Sequence, residues 1–486
     1  MPPSVERFQL APGFTISRAI TGLWQVADME RDGRPLDTAG TASAMAPYVE
    51  AGLTTFDMAD HYGSAELIAG QFRATNPRGR ECQLLTKWVP APGPVTREQV
   101  RAAVARACER LRVDRIDLMQ FHAWRFPDPS WLDALTFLQE LKGEGLIGQL
   151  GVTNFDTAHL RVAVRTGIEL VSNQVCCSLL DRRARGRMAE FCGANGLAIL
   201  AYGTLAGGFL TERWSGVPEP AAGELSTWSQ MKYKRFIDAV GGWAAYQRVL
   251  AAAQVVARRL GVSIASVATR YALEQPAVAA VIVGARLGQR AHVEEAARLF
   301  DFALDAESRG VLDEAIAALR PIPGDCGDEY RRPPFLTAAG DLSHHFREFP
   351  SPYPVRNDER RRQRALSGTV WEDLAGFSRA VRVGNRVVVS GTTATHGSRC
   401  VGGADAAAQA HFAIDKIEGA LESLGAALGD VVRTRVFVKR MSDWEAVARV
   451  HGERFGGIQP ANTLVQADLV GDEYLVEIEA DAQASD

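Results

Sequence analysis

The chain has 486 residues, more than one hydrophobic core usually organises, so we expect two domains. A net charge of −4, with both signs interspersed, indicates neither a nucleic-acid nor a membrane partner. Seven scattered cysteines without a CxxC pair, and the lack of an apolar leader or long apolar run, predict a soluble cytoplasmic protein without disulfides or a metal site.

From residue 17 onward, short β-branched or apolar runs alternate with longer stretches of helical period. This alternation is typical of successive parallel βα units. The eight runs are RAITGLW, LTTFDMAD, QLLTKW, RIDLMQFH, IGQLGVTN, ELVSNQV, LAILAYG and AVAAVIVGAR.

The helical stretches carry one apolar stripe each, as VTREQVRAAVARACERL shows with Val100, Val104, Ala107 and Leu111. Eight βα units within about 300 residues predict an α/β protein with a (β/α)8 TIM barrel. A doubly wound open sheet with the same alternation is the alternative.

Barrel enzymes place their chemistry at the carboxyl ends of the strands, so the residues that end the eight runs are the candidates. Most of them are polar or aromatic. They are Trp24, Asp57 with Tyr62, Lys87, His122, Thr153 with Asn154, Gln174, Tyr202 and Arg286.

Four of these residues suit proton delivery to a carbonyl group. The Lys87 ammonium lowers the pKa of the Tyr62 phenol, and Asp57 holds Lys87 charged and oriented. His122 donates a hydrogen bond to the carbonyl oxygen as negative charge develops there. The neighbouring residues Asp60, His61 and Glu66 receive no catalytic role.

These residues stand in motifs that resemble the aldo-keto reductases over about residues 10–315. FDMADHYG is similar to the family's Asp-x-Ala-x-x-Tyr signature, LLTKW to its lysine strand and RIDLMQFH to its histidine strand. The resemblance implies that Tyr62 is the general acid/base, that Lys87 and Asp57 tune it, and that His122 orients the carbonyl.

The same resemblance implies a nicotinamide cofactor, preferably NADP, with NAD possible. The implied positions run from the first loop through the carboxamide and stacking residues to the pyrophosphate loop and the adenosine end. They are Gly22, Leu23, Trp24, Asp57, Thr153, Asn154, Gln174, Tyr202, Leu205, Gly207, Gly284, Arg286, Arg290 and Glu294. Arg286 and Arg290 favour NADP, whereas Gly284 and Glu294 stand where many relatives carry lysine and asparagine.

Three further residues lie just beyond catalytic positions: Trp88, Trp124 and Arg125. They predict an aromatic pocket for an anionic or sugar-like carbonyl compound, with ordinary loop packing as the alternative.

Barrel periodicity stops near Leu319, and residues 320–366 are rich in proline, glycine and charge. We predict a barrel over 1–319, a partly packed linker over 320–366 and a smaller α+β domain over 367–486. In the last domain a hairpin with a Gly-Asn turn, an amphipathic helix, strand VVRTRVFVKR, helix DWEAVARVHGERFG and two more strands follow one another.

The stretches RAVRVGNRVVVSGTTA, GDVVRTRVFV and VEIEADA resemble the YjgF-like, or Rid (reactive intermediate deaminase), family, which has a chorismate-mutase-like fold. The resemblance implies trimers with clefts between subunits. The imine-hydrolysing members carry an arginine just after Pro-Ala, where this chain has Asn462. Glu477 matches the acidic cleft residue.

The sequence therefore predicts an NADP-preferring oxidoreductase of the alcohol-dehydrogenase type that interconverts a small carbonyl compound and its alcohol. The Rid-like domain is expected to assemble the protein as a homo-oligomer or to bind a small molecule. The alternatives are a bifunctional enzyme whose second domain hydrolyses a reactive imine, and a scaffold or sensor that only binds the cofactor.

Overall fold

A computed structural model describes residues 5–30, 33–289, 292–332 and 349–484. An antiparallel hairpin of β1 (Arg7–Ala11) and β2 (Phe14–Ser17) precedes a closed barrel. The barrel strands are β3 (Ala19–Gly22), β4 (Thr55–Asp57), β5 (Gln83–Trp88), β6 (Ile116–His122), β7 (Ile147–Thr153), β8 (Ser172–Cys176), β9 (Ala198–Tyr202) and β10 (Val278–Gly284). All eight neighbours pair in parallel, in the order β10-β3-β4-β5-β6-β7-β8-β9. The predicted barrel is confirmed.

Helices on the outside of the barrel cover the strands. They are α1 (Trp24–Met29), α2 (Thr38–Ser43), α3 (Ala46–Glu50), α4 (Ala65–Thr75), α5 (Arg97–Leu111), α6 (Ser130–Gly143), α7 (Thr157–Arg165), α8 (Arg187–Ala194), α9 (Trp228–Ala239), α10 (Trp243–Leu260), α11 (Ile264–Leu273), α12 (Val293–Ala297) and α13 (Ala306–Ala317). Helix α5 shows how the sequence sets its bounds: Thr96 and Gln99 form a reciprocal capping box, and the Val100 and Val104 stripe is fully buried.

No single helix in the described part of the chain is long and apolar enough to cross a membrane. Only α10 and α11 together meet that test, as a pair bent by 97°. Both helices pack in the hydrophobic core of the barrel.

After α13 the chain returns across the carboxyl end of the barrel. Residues 325–332, which we call the closing segment, are fixed there by Arg331, whose guanidinium donates to the carbonyl oxygens of Ala123 (3.0 Å) and Asn154 (2.5 Å). Gly327 has φ +82°, and a Cβ there would lie 1.9 Å from the Asn154 carbonyl oxygen. Only glycine permits this approach, so the closing segment has a fixed position against β6 and β7.

The C-terminal domain is a seven-stranded sheet with helices on one face. Its elements are β11 (Val355–Asn357), β12 (Gln363–Ala365), α14 (Val370–Ala375), β13 (Ala380–Val383), β14 (Arg386–Thr393), the small pair β15 (Thr395–His396) and β16 (Arg399–Cys400), α15 (Ala406–Ser423), β17 (Val431–Val438), α16 (Trp444–Phe455), β18 (Ala461–Gln466) and β19 (Val476–Gln483). The strand order is β11-β12-β13-β14-β19-β17-β18, antiparallel except for the parallel pair of β17 and β18. Strands β11 and β12 come from the segment predicted as linker.

Helix α15 lies between the C-terminal sheet and the barrel. Ile414, Ile417 and Leu421 belong to the apolar cluster of the sheet, whereas Ala408 and Phe412 belong to the cluster of the barrel. The helix that the sequence predicts as amphipathic is therefore buried on both sides, and the two domains share a core.

A buried ionic network crosses this contact. The imidazole of His159, on α7, lies 2.7 Å from the Asp156 carboxylate and 2.9 Å from the Asp415 carboxylate of α15. The Arg454 guanidinium of α16 donates to Asp415 at 2.6 Å, and the Phe126 ring stacks on His159 with centroids 3.5 Å apart. These five residues join the domains through charge as well as through apolar packing.

The other face of the C-terminal sheet, which we call the open face, is covered by neither α15 nor α16. Val387 and Val389 of β14 point toward the helices and are buried, while Val388 between them is 42% exposed. Val383 of β13 and Val465 of β18 are exposed as well. The open face thus presents aliphatic side chains to solvent.

Candidate active site

The catalytic candidates lie at the carboxyl ends of three adjacent barrel strands. Asp57 is the last residue of β4, Lys87 lies one residue before the end of β5, and His122 is the last residue of β6. Because parallel strands end at the same rim of the barrel, these side chains share one cavity. Tyr62 reaches the cavity from the turn between β4 and α4.

Lys87 and Asp57 form a buried ion pair, with 2.6 Å between Nζ and Oδ2. Both side chains are about 95% buried. Burial lowers the pKa of Lys87, and the charge of Asp57 and its hydrogen bond oppose that shift. The ammonium is thus held in place but gives up its proton more readily than an exposed lysine.

Asp57 accepts hydrogen bonds from two further side chains, Gln174 and Gln120. Gln174 was predicted as a site residue from the sequence, but Gln120 was missed. Its Oδ1 accepts from Gln174 Nε2 at 2.7 Å and from Gln120 Nε2 at 3.1 Å. Gln120 stands two residues before His122 on β6, and the strand period of two therefore turns it inward as well. That spacing is the signal by which Gln120 could have been found.

The Tyr62 ring packs against the ammonium and against Trp24. Lys87 Nζ lies 5.0 Å from the centre of the Tyr62 ring, and the Trp24 ring meets Tyr62 edge-on at 4.9 Å. A phenol beside an ammonium is more easily ionised than a free one, because the positive charge stabilises the phenolate.

His122 is buried among aromatic rings. Its imidazole lies 4.6 Å from the Trp124 ring and 5.4 Å from the ring of Tyr330, a residue of the closing segment. Tyr330 was missed because it follows the barrel in sequence, outside the βα repeat. Of the three predicted substrate residues, Trp124 lines the cavity.

The structure corrects the predictions for Trp88 and Arg125. Trp88 follows Lys87 on β5 and therefore points to the opposite side, where it packs in the hydrophobic core 5.8 Å from Phe121. Arg125 pairs with Glu422 of α15, so it serves the contact between the domains. Neither residue contributes to the cavity wall.

The unassigned residues of the FDMADHYGSAE stretch have structural partners. Asp60 accepts from the backbone N–H of Val89 at 3.3 Å, and the His61 imidazole lies 2.9 Å from the Asp60 carboxylate. Glu66 is buried against Thr86 and Arg110, and burial raises the pKa of its carboxyl.

The cavity measures about 1690 Å³ and runs from the catalytic residues to the region after β10. It has room for a dinucleotide together with a small substrate. Most of the predicted cofactor positions line it, namely Gly22, Trp24, Asp57, Thr153, Asn154, Gln174, Tyr202, Leu205, Gly207, Gly284 and Arg286. Leu23 is buried behind the wall, and Glu294 is exposed beside Arg298. Arg290 lies outside the described residues.

The residues present fit a nicotinamide dinucleotide. At the inner end the Tyr202 hydroxyl donates to Asn154 Oδ1 at 2.8 Å, so the aromatic face and the amide stand side by side. In the loop after β9, Gly207 has φ +68°, and a Cβ there would lie 2.7 Å from the Ser229 carbonyl oxygen. The loop backbone therefore forms part of the wall, as close approach to phosphate groups requires.

At the outer end of the cavity Arg286 pairs with Asp28 of α1. The other carboxylate oxygen of Asp28 is buried and accepts no hydrogen bond from the described residues. This end of the cavity thus carries both a guanidinium and an acceptor, either of which can meet a ribose or its phosphate.

In the C-terminal domain the two predicted cleft residues do not meet within one chain. Asn462 of β18 donates to Thr434 Oγ1 at 2.9 Å, and Thr434 in turn contacts His451 of the helix layer. Glu477 of β19 pairs with Phe437, an odd number of residues from Thr434 on β17, so it lies on the opposite face. Burial raises the pKa of Glu477.

A closed parallel barrel with this buried Asp–Lys pair, tyrosine and histidine defines a barrel oxidoreductase. The family model described as Aldo/keto reductase family matches residues 19–317, so the chain belongs to the aldo/keto reductase family. A second family model, Endoribonuclease L-PSP, matches residues 371–484, so a YjgF-type domain follows the barrel.

Three relatives illustrate the similarity. An uncharacterized protein of Streptomyces coelicolor is 37% identical over 121 residues, 25% of this chain and 90% of that protein. An uncharacterized oxidoreductase of Mycobacterium tuberculosis is 29% identical over 317 residues, 63% of this chain and 91% of the relative. The NADH-specific methylglyoxal reductase of Escherichia coli is 28% identical over 217 residues, 40% of this chain and 66% of the relative.

Among solved structures, a glycerol dehydrogenase of Gluconobacter oxydans resembles the chain with a TM-score of 0.53 at 24% identity. The match covers 66% of this chain and 97% of that enzyme. At this identity the likeness shows the fold alone, and it agrees with the barrel described above.

Proposed function

We propose that the protein interconverts a small aldehyde or ketone and its alcohol by hydride transfer, with Tyr62 as the general acid/base. The observation that carries the proposal is the buried Lys87–Asp57 ion pair beneath the Tyr62 ring in a cavity of dinucleotide size. A structural role alone does not account for the position of this ion pair beside a phenol at the carboxyl end of the barrel.

When bound, the nicotinamide supplies or accepts the hydride. The residues of this chain do the rest. Tyr62 gives its proton to the carbonyl oxygen, Lys87 stabilises the phenolate that remains, and Asp57 holds Lys87. His122 donates to the same oxygen as charge develops there. In the oxidative direction the same groups take the proton back.

The preferred cofactor is NADP, with NAD as a second substrate. Arg286 at the outer end of the cavity supports binding of a 2′-phosphate. Its pairing with Asp28 supports use of NAD as well, because the carboxylate can instead accept from a ribose hydroxyl. The named specificity of the Escherichia coli relative is in keeping with NADH use. Fluorescence titration with NADPH and NADH measures the preference directly.

The decisive experiment is Tyr62→Phe. Because the variant lacks only the phenolic hydroxyl group, we expect aldehyde-dependent NADPH oxidation to fall at least about a hundredfold while NADPH affinity stays within about twofold. His61→Phe, at the adjacent ring outside the proposed relay, is the matched control and should keep most activity. Unchanged turnover in Tyr62→Phe contradicts the role of Tyr62, whereas cofactor binding without turnover of any aldehyde by the natural chain favours a cofactor-binding scaffold.

For the C-terminal domain we propose assembly of the protein into homo-oligomers, with the trimer as the candidate form, through the open face. The support is geometric: α15 and α16 are on the face toward the barrel, and exposed aliphatic residues lie on the other face. Hydrolysis of imines is the second candidate activity. The replacement of arginine by Asn462 weakens it, because an amide cannot clamp a carboxylate as a guanidinium does.

A further inference from the structure

The closing segment brings a further tyrosine to the catalytic cavity, beside a second lysine that belongs to α9. Tyr330 belongs to this segment and Lys232 to α9, and both line the cavity together with Trp124 and Tyr202. The closing segment lies beyond residues 19–317, which match the aldo/keto reductase model.

The Lys232 ammonium is buried, yet its hydrogen bonds go to phenols. Nζ lies 2.5 Å from the Tyr330 hydroxyl and 3.4 Å from the Tyr202 hydroxyl. Only 7% of the residue is exposed, and no carboxylate of the described residues lies within salt-bridge distance of Nζ. A buried ammonium usually has an anionic partner at hydrogen-bond distance.

The nearest carboxylates are already bound elsewhere. Arg183 forms ion pairs with both Glu329, at 2.9 Å, and Asp181, at 2.7 Å. Burial disfavours the charged form of Lys232, but the electrostatic effects of Tyr330 and Glu329 outweigh burial and raise the pKa of Lys232. The side chain lines the cavity, and its ammonium forms hydrogen bonds with the hydroxyls of Tyr330 and Tyr202.

Tyr330 links this cation to the catalytic histidine. Lys232 Nζ lies 4.5 Å from the centre of the Tyr330 ring, and the same ring meets His122 edge-on at 5.4 Å. A substrate whose carbonyl oxygen is at His122 therefore has Tyr330 and Lys232 along its other end.

From this arrangement we propose that Lys232 and the Tyr330 hydroxyl bind a carboxylate on the substrate, so that the preferred substrates are short oxo acids. The inference deepens the proposed carbonyl reduction and rests on it. A carboxylate oxygen accepts from both an ammonium and a phenol, and such charge-assisted bonds are about twice as strong as neutral ones. The anchoring of the closing segment by Arg331 and Gly327 keeps the Tyr330 hydroxyl in place before the substrate arrives.

The test compares aldehydes with and without a negative charge: ω-oxo carboxylates of two to five carbons and their methyl esters, with NADPH and the full chain. We expect kcat/KM for the best acid to exceed that of its ester at least about tenfold, a difference of about 1.4 kcal/mol. Lys232→Met should bring the ratio of kcat/KM between acid and ester to about one, and Tyr330→Phe should lower that ratio in part.

Two controls separate binding from folding. Lys232→Arg keeps the charge and should keep the preference for acids. Lys234→Met removes a lysine of the same helix that pairs with Glu219 and Asp238 outside the cavity wall, and should change nothing. Equal use of acid and ester by the natural chain overturns the proposal, as does an equal loss of both in Lys232→Met.

A second readout does not depend on turnover. Calorimetric titration of the NADP-loaded protein with butanoate should show binding that Lys232→Met abolishes, while NADPH affinity stays unchanged. Weaker NADPH binding in the variant would instead assign the ammonium to the cofactor phosphates and overturn the proposal. If no aldehyde is reduced, the proposed function fails, and the butanoate titration alone then upholds or overturns the anion site.

Discussion

Hydrogen bonds from two other side chains hold the Asp57 carboxylate in addition to its ion pair with Lys87. One of its oxygens faces the ammonium, and the other accepts from the amides of Gln120 and Gln174. A carboxylate with all of these donors cannot rotate away from Lys87 without losing charge-assisted hydrogen bonds. Gln120, which does not line the cavity, thus positions the proton relay through Asp57.

Gln120→Leu tests this positioning role. The variant loses the hydrogen bond to Asp57 and the one that Gln120 Oε1 accepts from Gln174 Nε2 at 3.1 Å. Loss of the bond to a buried carboxylate costs about 1.5–3 kcal/mol, so we expect kcat to fall about ten- to a hundredfold. The pH profile of kcat should also shift, because Lys87 is less firmly paired. Gln149→Leu, on the neighbouring strand and outside the cavity wall, is the control. An unaltered kcat and pH profile would show that Gln174 suffices.

At the level of single residues, the sequence predicts the site residues that lie at the carboxyl ends of the barrel strands. Asp57, Lys87 and His122 follow from the rule that parallel strands end at one rim. The prediction that Trp88 lines the substrate pocket was wrong, because neighbouring residues of a strand face opposite sides. The prediction for Arg125 was wrong because its partner, Glu422, belongs to the C-terminal domain. No local sequence pattern indicates where that domain contacts the barrel.

Helix α15 shows what element patterns leave open. Its apolar spacing predicts a helix with one buried face, and that face does pack on the C-terminal sheet. Its second face is buried by the barrel, where Phe412 is fully enclosed. The apolar period of a sequence predicts which face of a helix is buried. It does not predict that a second face will pack on another domain, because that depends on how two folded surfaces fit together.

The ionic network between α7 and α15 should make the contact between the domains sensitive to pH. Burial alone lowers the pKa of His159, but Asp156 and Asp415 together raise it to about 9. The unfolded value is about 6.5, so the stabilisation is complete below about pH 6.5 and is lost as pH rises through about 9. Arg454 and His411 also face this site, and burial, together with repulsion from Arg454, lowers the pKa of His411 to about 3.

Denaturant unfolding at pH 6, 8 and 10 measures the effect. We expect the natural chain to lose stability progressively over this range and His159→Gln to be less stable at pH 6 but nearly independent of pH. Exposed His292, on the barrel, provides His292→Gln as the control. An equal pH dependence in natural chain and His159→Gln would show that His159 stays neutral between its two carboxylates.

For the whole molecule, the open face makes a prediction about assembly. Val388→Lys replaces an exposed aliphatic side chain of the open face by a charged one, and burying that charge between copies is costly. We expect light scattering to report an oligomer for the natural chain and a monomer for Val388→Lys. Val255→Lys, at an exposed valine of α10, should keep the oligomer. A monomeric natural chain would contradict the proposed assembly.

The overall architecture was predictable because each level of the sequence agrees with it. Eight regularly spaced apolar runs predict the barrel, and the hairpin with its Gly-Asn turn predicts the start of the second sheet. The structure of the segment between the barrel and the C-terminal sheet was not predictable from the sequence. Strands β11 and β12 and the closing segment come from a stretch whose composition indicates a linker, because their partners lie far away in sequence.

The shared core of α15 has a consequence for the integrity of the molecule. Because α15 is enclosed by both domains and His159 bridges their charges, the contact itself joins the barrel to the C-terminal domain. Either half made alone would expose a large apolar surface and leave buried charges without their partners. In protein engineering, the barrel and the C-terminal domain of this chain should therefore be kept together as one unit.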